Sequence, residues 1–260
     1  MPVLPSFVAP LMAAVRFLTI LPFRRGAEFD GMHFQSGLLY FPVIGLGIGA
    51  LGLVAVVCLG WFLPPSLTAF FGIMLLAAIS GCLHLDGLAD SADGLLSSRP
   101  KADKLTIMRD SRTGAMGVIA LALVLLGKYA ALSSASAAGL AVMLLLMPLA
   151  GRCAIVVSMA LLPYARAEGG LGALFYSPDT RKAAMVAAAA WLVAVMMLVP
   201  LAGFGLRTML AAVLIPAGTV LLFSTWCRNS LGGATGDTLG AVCELSELMT
   251  AVGLSVITSS

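Results

Sequence analysis

The chain has 260 residues, is 60% hydrophobic and 10% charged, and has a mean hydropathy of +1.05. Soluble domains carry about 25% charged residues, so this much apolar surface needs lipid as its solvent. The formal net charge of +3 is too small to argue for a nucleic-acid partner. Five scattered cysteines and two histidines form neither a C-x-x-C pair nor a zinc spacing, which excludes a disulfide framework and a structural zinc site as readings.

The expected fold is an all-α, polytopic membrane bundle of about seven spans in a single domain over residues 1–260. Residues 6–20 are apolar except for Arg16 and are short for a span, so they predict an interfacial or core helix. Arg24 and Arg25 then open a short polar loop to about Ser36. No charged residue occurs from Phe34 to Leu83. From about Leu38 that run holds two spans, broken at Pro64-Pro65-Ser66. Gly45, Gly47, Gly49 and Gly52 suit a closely packed face of the first. Further spans are expected at about 115–131, 139–162, 183–204, 207–226 and 238–257. Polar loops at 84–114, 163–182 and 227–237 and the basic N-terminal segment then fall on one side. Most Lys and Arg lie there, so that side is expected to be cytoplasmic.

The polar stretch from His84 to Gly94 breaks the apolar pattern. Asp86, Asp90 and Asp93 are spaced i, i+4, i+7, which on a helix puts them within roughly 60° of one face. Like charges so placed repel, and a shared cation would relieve them. Oxygen-only ligands suit Mg²⁺ or Mn²⁺ bound with a phosphorylated substrate. The alternative is a solvated helix start favoured by the dipole. His84 is read as a base, a ligand or a polar boundary residue.

A second motif, Ile107 to Gly117, carries Arg109, Asp110 and Arg112 ahead of a Gly-containing turn into an apolar helix. Such a helix start with guanidinium groups beside it is an anion site, and arginine facing carboxylates suits phosphoryl transfer. Positive-inside anchoring is the alternative for both arginines. A third motif runs from Arg228 to Ala241. Its Gly232, Gly233, Thr235, Gly236 and Asp237 suggest a phosphate loop, though the Gly-Lys-Ser/Thr ending of a Walker A sequence is absent. Glu244 shares a helix face with Asp237, and Glu247 lies further round. Ionisable groups inside an apolar helix are costly and imply function, or a structural pairing with Arg152, which sits in mid-span. Tyr164 and Arg166 open the second loop, Tyr164 either stacking on a ring or lying in the interfacial belt.

Together these motifs resemble the cobalamin synthase family, the adenosylcobinamide-GDP ribazoletransferases, over essentially the whole chain. The similarity begins at Arg16 to Pro22 and Phe41 to Gly45. It is most specific at His84 to Gly94 and Ile107 to Gly117, and continues at Pro163 to Arg166 and Gly232 to Asp237. The resemblance implies a Mg²⁺-dependent transferase of the bacterial inner membrane. The 5′ oxygen of α-ribazole, or of its 5′-phosphate, would attack adenosylcobinamide-GDP and GMP would leave. One metal or two would sit on Asp86, Asp90 and Asp93. Arg109 and Arg112 would neutralise the leaving GMP, and His84 or an aspartate would take the hydroxyl proton. Asp110, Arg166, the Gly232–Asp237 loop and Glu244 would bind substrate. The expected partners are these substrates and the lipid bilayer, with a homo-oligomer compatible and no nucleic acid. Runner-up readings are a CDP-alcohol phosphotransferase-like enzyme and a cation-coupled transporter with midplane acids.

Overall fold

A computed structural model describes residues 7–23 and 30–256; Arg24 and Arg25 lie outside the described residues. The described residues form eleven α-helices: α1 (Val8–Leu18), α2 (Asp30–Gly37), α3 (Phe41–Leu59), α4 (Pro65–Ile79), α5 (Leu83–Leu95), α6 (Lys101–Ile107), α7 (Ala115–Ser134), α8 (Ala137–Leu161), α9 (Thr180–Leu201), α10 (Leu206–Leu231) and α11 (Gly236–Ser255). The protein is a polytopic helical membrane protein. Among the described residues, five stretches are long and apolar enough to cross a bilayer: Asp30–Leu59, α7, α8, α9 and α10. The bent pair α4 and α5 would be a sixth. Each of the seven predicted spans coincides with a helix, but α4 has only 15 residues and α11 carries Asp237, Glu244 and Glu247.

The core sits around α8, which packs against α3, α9 and α11 and is the most enclosed of the spans. Its apolar residues go all round, as a central helix requires. Pro148 cannot donate to Leu144, four residues back, and α3 fills the gap this leaves. A Cβ on Gly49 would lie 2.5 Å from the Leu144 oxygen, and one on Gly45 2.6 Å from the Pro148 oxygen. Glycine is therefore required at both places, and backbone meets backbone. Gly47 takes no part, since a Cβ there would meet nothing within 4 Å. Large apolar side chains such as Leu123, Leu126, Met196, Leu214 and Leu222 point outward, an apolar belt of the kind that faces lipid.

The chain connections sort to two ends. At one end the α7–α8 turn meets the α9–α10 turn, with Gly139 against the Phe204 ring. Thr208 at the start of α10 also donates to the Val256 oxygen at 3.2 Å there. At the other end the polar segments meet: the Ala165 amide donates to the Ala234 oxygen at 2.8 Å, and Lys101 lies against Gly232. Two expectations need correction. The third polar loop does not start at Cys227, because α10 continues to Leu231, leaving only 232–235 between helices. The stretch before Ser36 is not all loop, because α2 begins at Asp30, which pairs with Arg16.

Candidate active site

The α4–α5 connection sets the site. Gly81 and Cys82 both take left-handed backbone (φ 60° and 57°), which turns α5 by 89° from α4. The polar helix therefore lies across α11 instead of extending the span. The two cross backbone to backbone. A Cβ on Gly87 would lie 2.7 Å from the Asp237 oxygen, and one on Gly240 would lie 3.2 Å from the His84 Cα. This crossing brings Asp86 and Asp90 of α5 beside Asp237 at the start of α11.

The crossing floors a cavity of about 410 Å³. Its polar wall includes His84, Asp86, Asp237, Arg109 and Arg166. Arg166 donates to Asp237 at 2.8 Å. The carboxylates of Asp86, Asp237 and Asp93 all bear on Asp90, with Arg166 the opposing charge. Four acids so placed repel one another, as the spacing of three of them predicted. His84 is 3% exposed and its Nδ1 has no hydrogen-bond partner among the described residues.

Asp93 has a further task. Its two oxygens accept from the amides of Gly114 (2.6 Å) and Gly117 (2.9 Å), satisfying free donors at the start of α7. Both glycines are needed for that approach; a Cβ on Gly117 would stand 2.6 Å from the carboxylate.

Arg109 reaches the cavity and pairs with Glu168 of the 163–175 loop across its rim. Glu168 lies below the usual carboxylate range, held there by a backbone amide and by Arg109. Arg112 does not line the cavity. It is exposed and forms a bidentate pair with Asp110 (3.0 and 2.6 Å), which lowers the Asp110 carboxyl to about 2. Burial raises the Tyr164 and Tyr176 hydroxyls above their ordinary value.

The glycine-rich motif divides by position. Gly232 ends α10 in left-handed backbone (φ 77°). Gly233 is pressed against the Pro163 oxygen, where no side chain fits. Thr235 is fully buried and caps α11 reciprocally with Thr238 (3.2 and 2.8 Å). Of the five residues named in this motif, Gly236 and Asp237 line the cavity, and Leu239 and Gly240 beyond them do so too. The α11 N-terminus, the positive end of the helix dipole, thereby lies at the cavity.

Glu244 is not brought to the cavity. It is 5% exposed and accepts from Lys128 at 2.7 Å. Lys128 also donates to Glu247 at 2.6 Å, and Arg152 pairs with the other Glu247 oxygen. Two cations and two carboxylates thus close a neutral network between α7, α8 and α11. The charges desolvated within the bundle satisfy one another, so the expectation that Glu244 walls the substrate pocket is corrected. The structural pairing of Arg152 is the reading that holds.

Sequence reasoning missed the phenylalanine cluster beside the cavity, where Phe17 of α1, Phe41 of α3 and Phe175 converge. Ring centroids lie 4.5 Å apart for Phe17 and Phe175, and 5.7 Å for Phe41 and Phe175. No local pattern joins three residues this far apart in sequence.

Comparison with known proteins decides the family. The model for Cobalamin-5-phosphate synthase matches residues 10–255. The chain belongs to that family. Among curated relatives, the adenosylcobinamide-GDP ribazoletransferase of Syntrophobacter fumaroxidans is 38% identical over 238 residues. That alignment spans 91% of this chain and 94% of the relative. Proteins of the same name from Acetivibrio thermocellus (36% over 245 residues, 93% and 95%) and from Escherichia coli O17:K52:H18 (38% over 248 residues, 91% and 95%) match at similar length. No solved structure matches the chain.

Proposed function

We propose that this member of the cobalamin-5-phosphate synthase family is an adenosylcobinamide-GDP ribazoletransferase. It joins α-ribazole, or its 5′-phosphate, to adenosylcobinamide-GDP. The observation that carries this reading is the cavity in which Asp86 and Asp237 face Arg109 and Arg166 beside a helix N-terminus. Such a site accepts a diphosphate and the charge that develops as it is cleaved.

In the reaction, a free ribose hydroxyl oxygen of the acceptor, one available whether or not the 5′ position carries phosphate, bonds to the cobinamide-side phosphorus. The bond from that phosphorus to the bridging oxygen breaks, and GMP leaves with that oxygen. His84, at the cavity wall, or Asp86 takes the hydroxyl proton. Arg109 and Arg166 hold the phosphate oxygens in line.

The donor set fits a hard divalent cation. All its ligands are oxygens, and the carboxylates crowded about Asp90 lack enough positive charge. Among the described residues no three of His, Cys, Asp and Glu converge as a closed metal cage. Mg²⁺ characteristically takes one or two carboxylates and completes its shell with phosphate and water. Asp86 and Asp90 would hold it, with Asp93 committed largely to the α7 amides. When bound, the cation supplies charge neutralisation to the phosphate oxygens.

The polar end that holds the site also holds most Lys and Arg, which supports its placement on the cytoplasmic side of a bacterial inner membrane. The test is GMP release by purified protein given adenosylcobinamide-GDP, α-ribazole and Mg²⁺. Release that requires both substrates and is lost with EDTA and in Asp86→Asn is the expected result. Absence of release from folded protein rejects the reading.

A further inference from the structure

We propose that the Tyr164 hydroxyl is a third diphosphate-binding group beside Arg109 and Arg166, donating its hydrogen to a non-bridging phosphate oxygen. This inference rests on the transferase reading and deepens it.

The backbone at Tyr164 is tied down. It pairs in parallel with Ala234. The Ala165 amide donates to the Ala234 oxygen and the Ala234 amide to the Pro163 oxygen, both at 2.8 Å. The ring then lies in a slot that glycines leave open. A Cβ on Gly172 would stand 3.1 Å from the Tyr164 Cε2, and one on Gly170 would stand 2.7 Å from the hydroxyl oxygen. Gly170 also takes a φ of 152°, which glycine adopts without steric cost. Tyr176 packs T-shaped against the ring, with centroids 5.7 Å apart. The slot holds the ring and so sets where its hydroxyl ends.

The groups around that hydroxyl place it at the cavity. Gly170 is one of them. The Gly236 amide and the charges of Arg166, Asp237 and Arg109 also act on it. These five residues and Tyr164 itself all line the cavity. Two guanidinium groups, a phenol and the start of α11 thus converge from separate segments. Convergent donors of this kind are what a developing phosphate charge needs.

A phenylalanine would fill the slot as well as a tyrosine does, so the hydroxyl calls for its own account. Both arginines already hold carboxylates, Arg109 that of Glu168 and Arg166 that of Asp237. The phenol carries no charge of its own and burial keeps it protonated. It can therefore donate to an anion at neutral pH without giving up an ion pair, and a hydrogen bond of that kind is charge-assisted.

The test measures binding of radiolabelled pyrophosphate with Mg²⁺ to the full-length protein in detergent, alongside steady-state kinetics for both substrates. Tyr164→Phe keeps the ring and removes only the hydroxyl. A hydrogen bond to a charged group is worth enough to predict about a ten-fold loss, both of pyrophosphate affinity and of kcat/KM for adenosylcobinamide-GDP. KM for α-ribazole is expected to stay within about two-fold, and the melting temperature near that of the parent.

Unchanged pyrophosphate affinity in folded Tyr164→Phe overturns the assignment, and a raised KM for α-ribazole in its place gives the hydroxyl to the acceptor. Where the parent binds no pyrophosphate, an unchanged kcat/KM for adenosylcobinamide-GDP overturns it. If Tyr164→Phe does not fold, 3-fluorotyrosine at position 164 decides: its fluorine signal is expected to shift when pyrophosphate and Mg²⁺ are added, and an unmoved signal overturns the assignment. Parent protein that binds pyrophosphate through Tyr164 but releases no GMP overturns the transferase reading alone. Parent protein that releases GMP with pyrophosphate binding independent of Tyr164 overturns this assignment alone.

Discussion

Gly87 and Gly240 face each other across the α5–α11 crossing, where a Cβ on Gly240 would stand 3.3 Å from the Gly87 Cα. This contact fixes how far Asp86 and Asp90 stand from Asp237. A methyl group on Gly87 would strike the Asp237 backbone at 2.7 Å, and backbone cannot swing aside as a side chain can. Gly87→Ala is therefore expected to force the two helices apart, at a cost of about 1–3 kcal/mol. Turnover should fall more than stability does, because the acids move with the backbone. Gly47→Ala, which meets nothing, is the matched control. Thermal unfolding in detergent and GMP release, measured on both variants, check the expectation.

The network of Lys128, Glu244, Glu247 and Arg152 predicts a graded response. Glu247 has two cationic partners and Glu244 has one. Glu247→Gln leaves Arg152 without its carboxylate, and breaking a buried pair on one side costs about 3–5 kcal/mol. Glu244→Gln should cost less, because Lys128 keeps Glu247. Removing Lys128 and Glu244 together, as Lys128→Met with Glu244→Leu, leaves a neutral Arg152–Glu247 pair and should recover stability lost in Lys128→Met alone. Melting temperatures of the four proteins read this directly. A Glu244 that contacted substrate would instead raise KM without lowering the melting temperature.

These two sites show what the sequence makes legible. The helices follow from charge-free stretches bounded by Pro and Gly pairs, and they lie close to where those signals put them. The acidic stripe on α5 follows from spacing alone, since i, i+4, i+7 on a helix has one geometric meaning. What the stripe faces does not follow. Asp237 and Arg166 reach it only because α5 turns at Gly81 and Cys82, a backbone event that hydropathy does not encode. Glu244 is the instructive error: its seven-residue spacing from Asp237 gives a shared face, but two helical turns carry it away from the cavity and down to Lys128. The phenylalanine cluster was hidden for the same reason, being a product of tertiary convergence.

Asp93 separates structure from chemistry within the acidic motif. Its oxygens accept two amides at the start of α7, whereas Asp86 lines the cavity. In Asp93→Asn one oxygen becomes an amide donor facing a backbone donor. Losing such a cap costs about 0.5–2 kcal/mol, so a lower melting temperature is expected with a reduced but measurable rate. Asp86→Asn should melt near the parent temperature and release no GMP. If Asp93→Asn keeps its stability, the capping account of Asp93 fails.

Glu168 and Arg109 form an ion pair at the cavity rim, and about half of each side chain is exposed. The carboxylate occupies the guanidinium that an incoming diphosphate would use. Glu168→Gln removes this competitor and one negative charge near the mouth, so KM for adenosylcobinamide-GDP is expected to fall a few-fold at low salt. Because Glu168 lies below the usual carboxylate range, it remains ionised throughout the neutral region, and the difference should persist from pH 6 to 8. Screening weakens exposed charges over about 8–10 Å at physiological salt, so the gain should shrink as salt is added. Arg109→Ala should act oppositely, raising KM and lowering the rate together. Steady-state kinetics at two salt concentrations test both signs, and a Glu168→Gln enzyme with a higher KM would show that Glu168 orients Arg109 instead of competing for it.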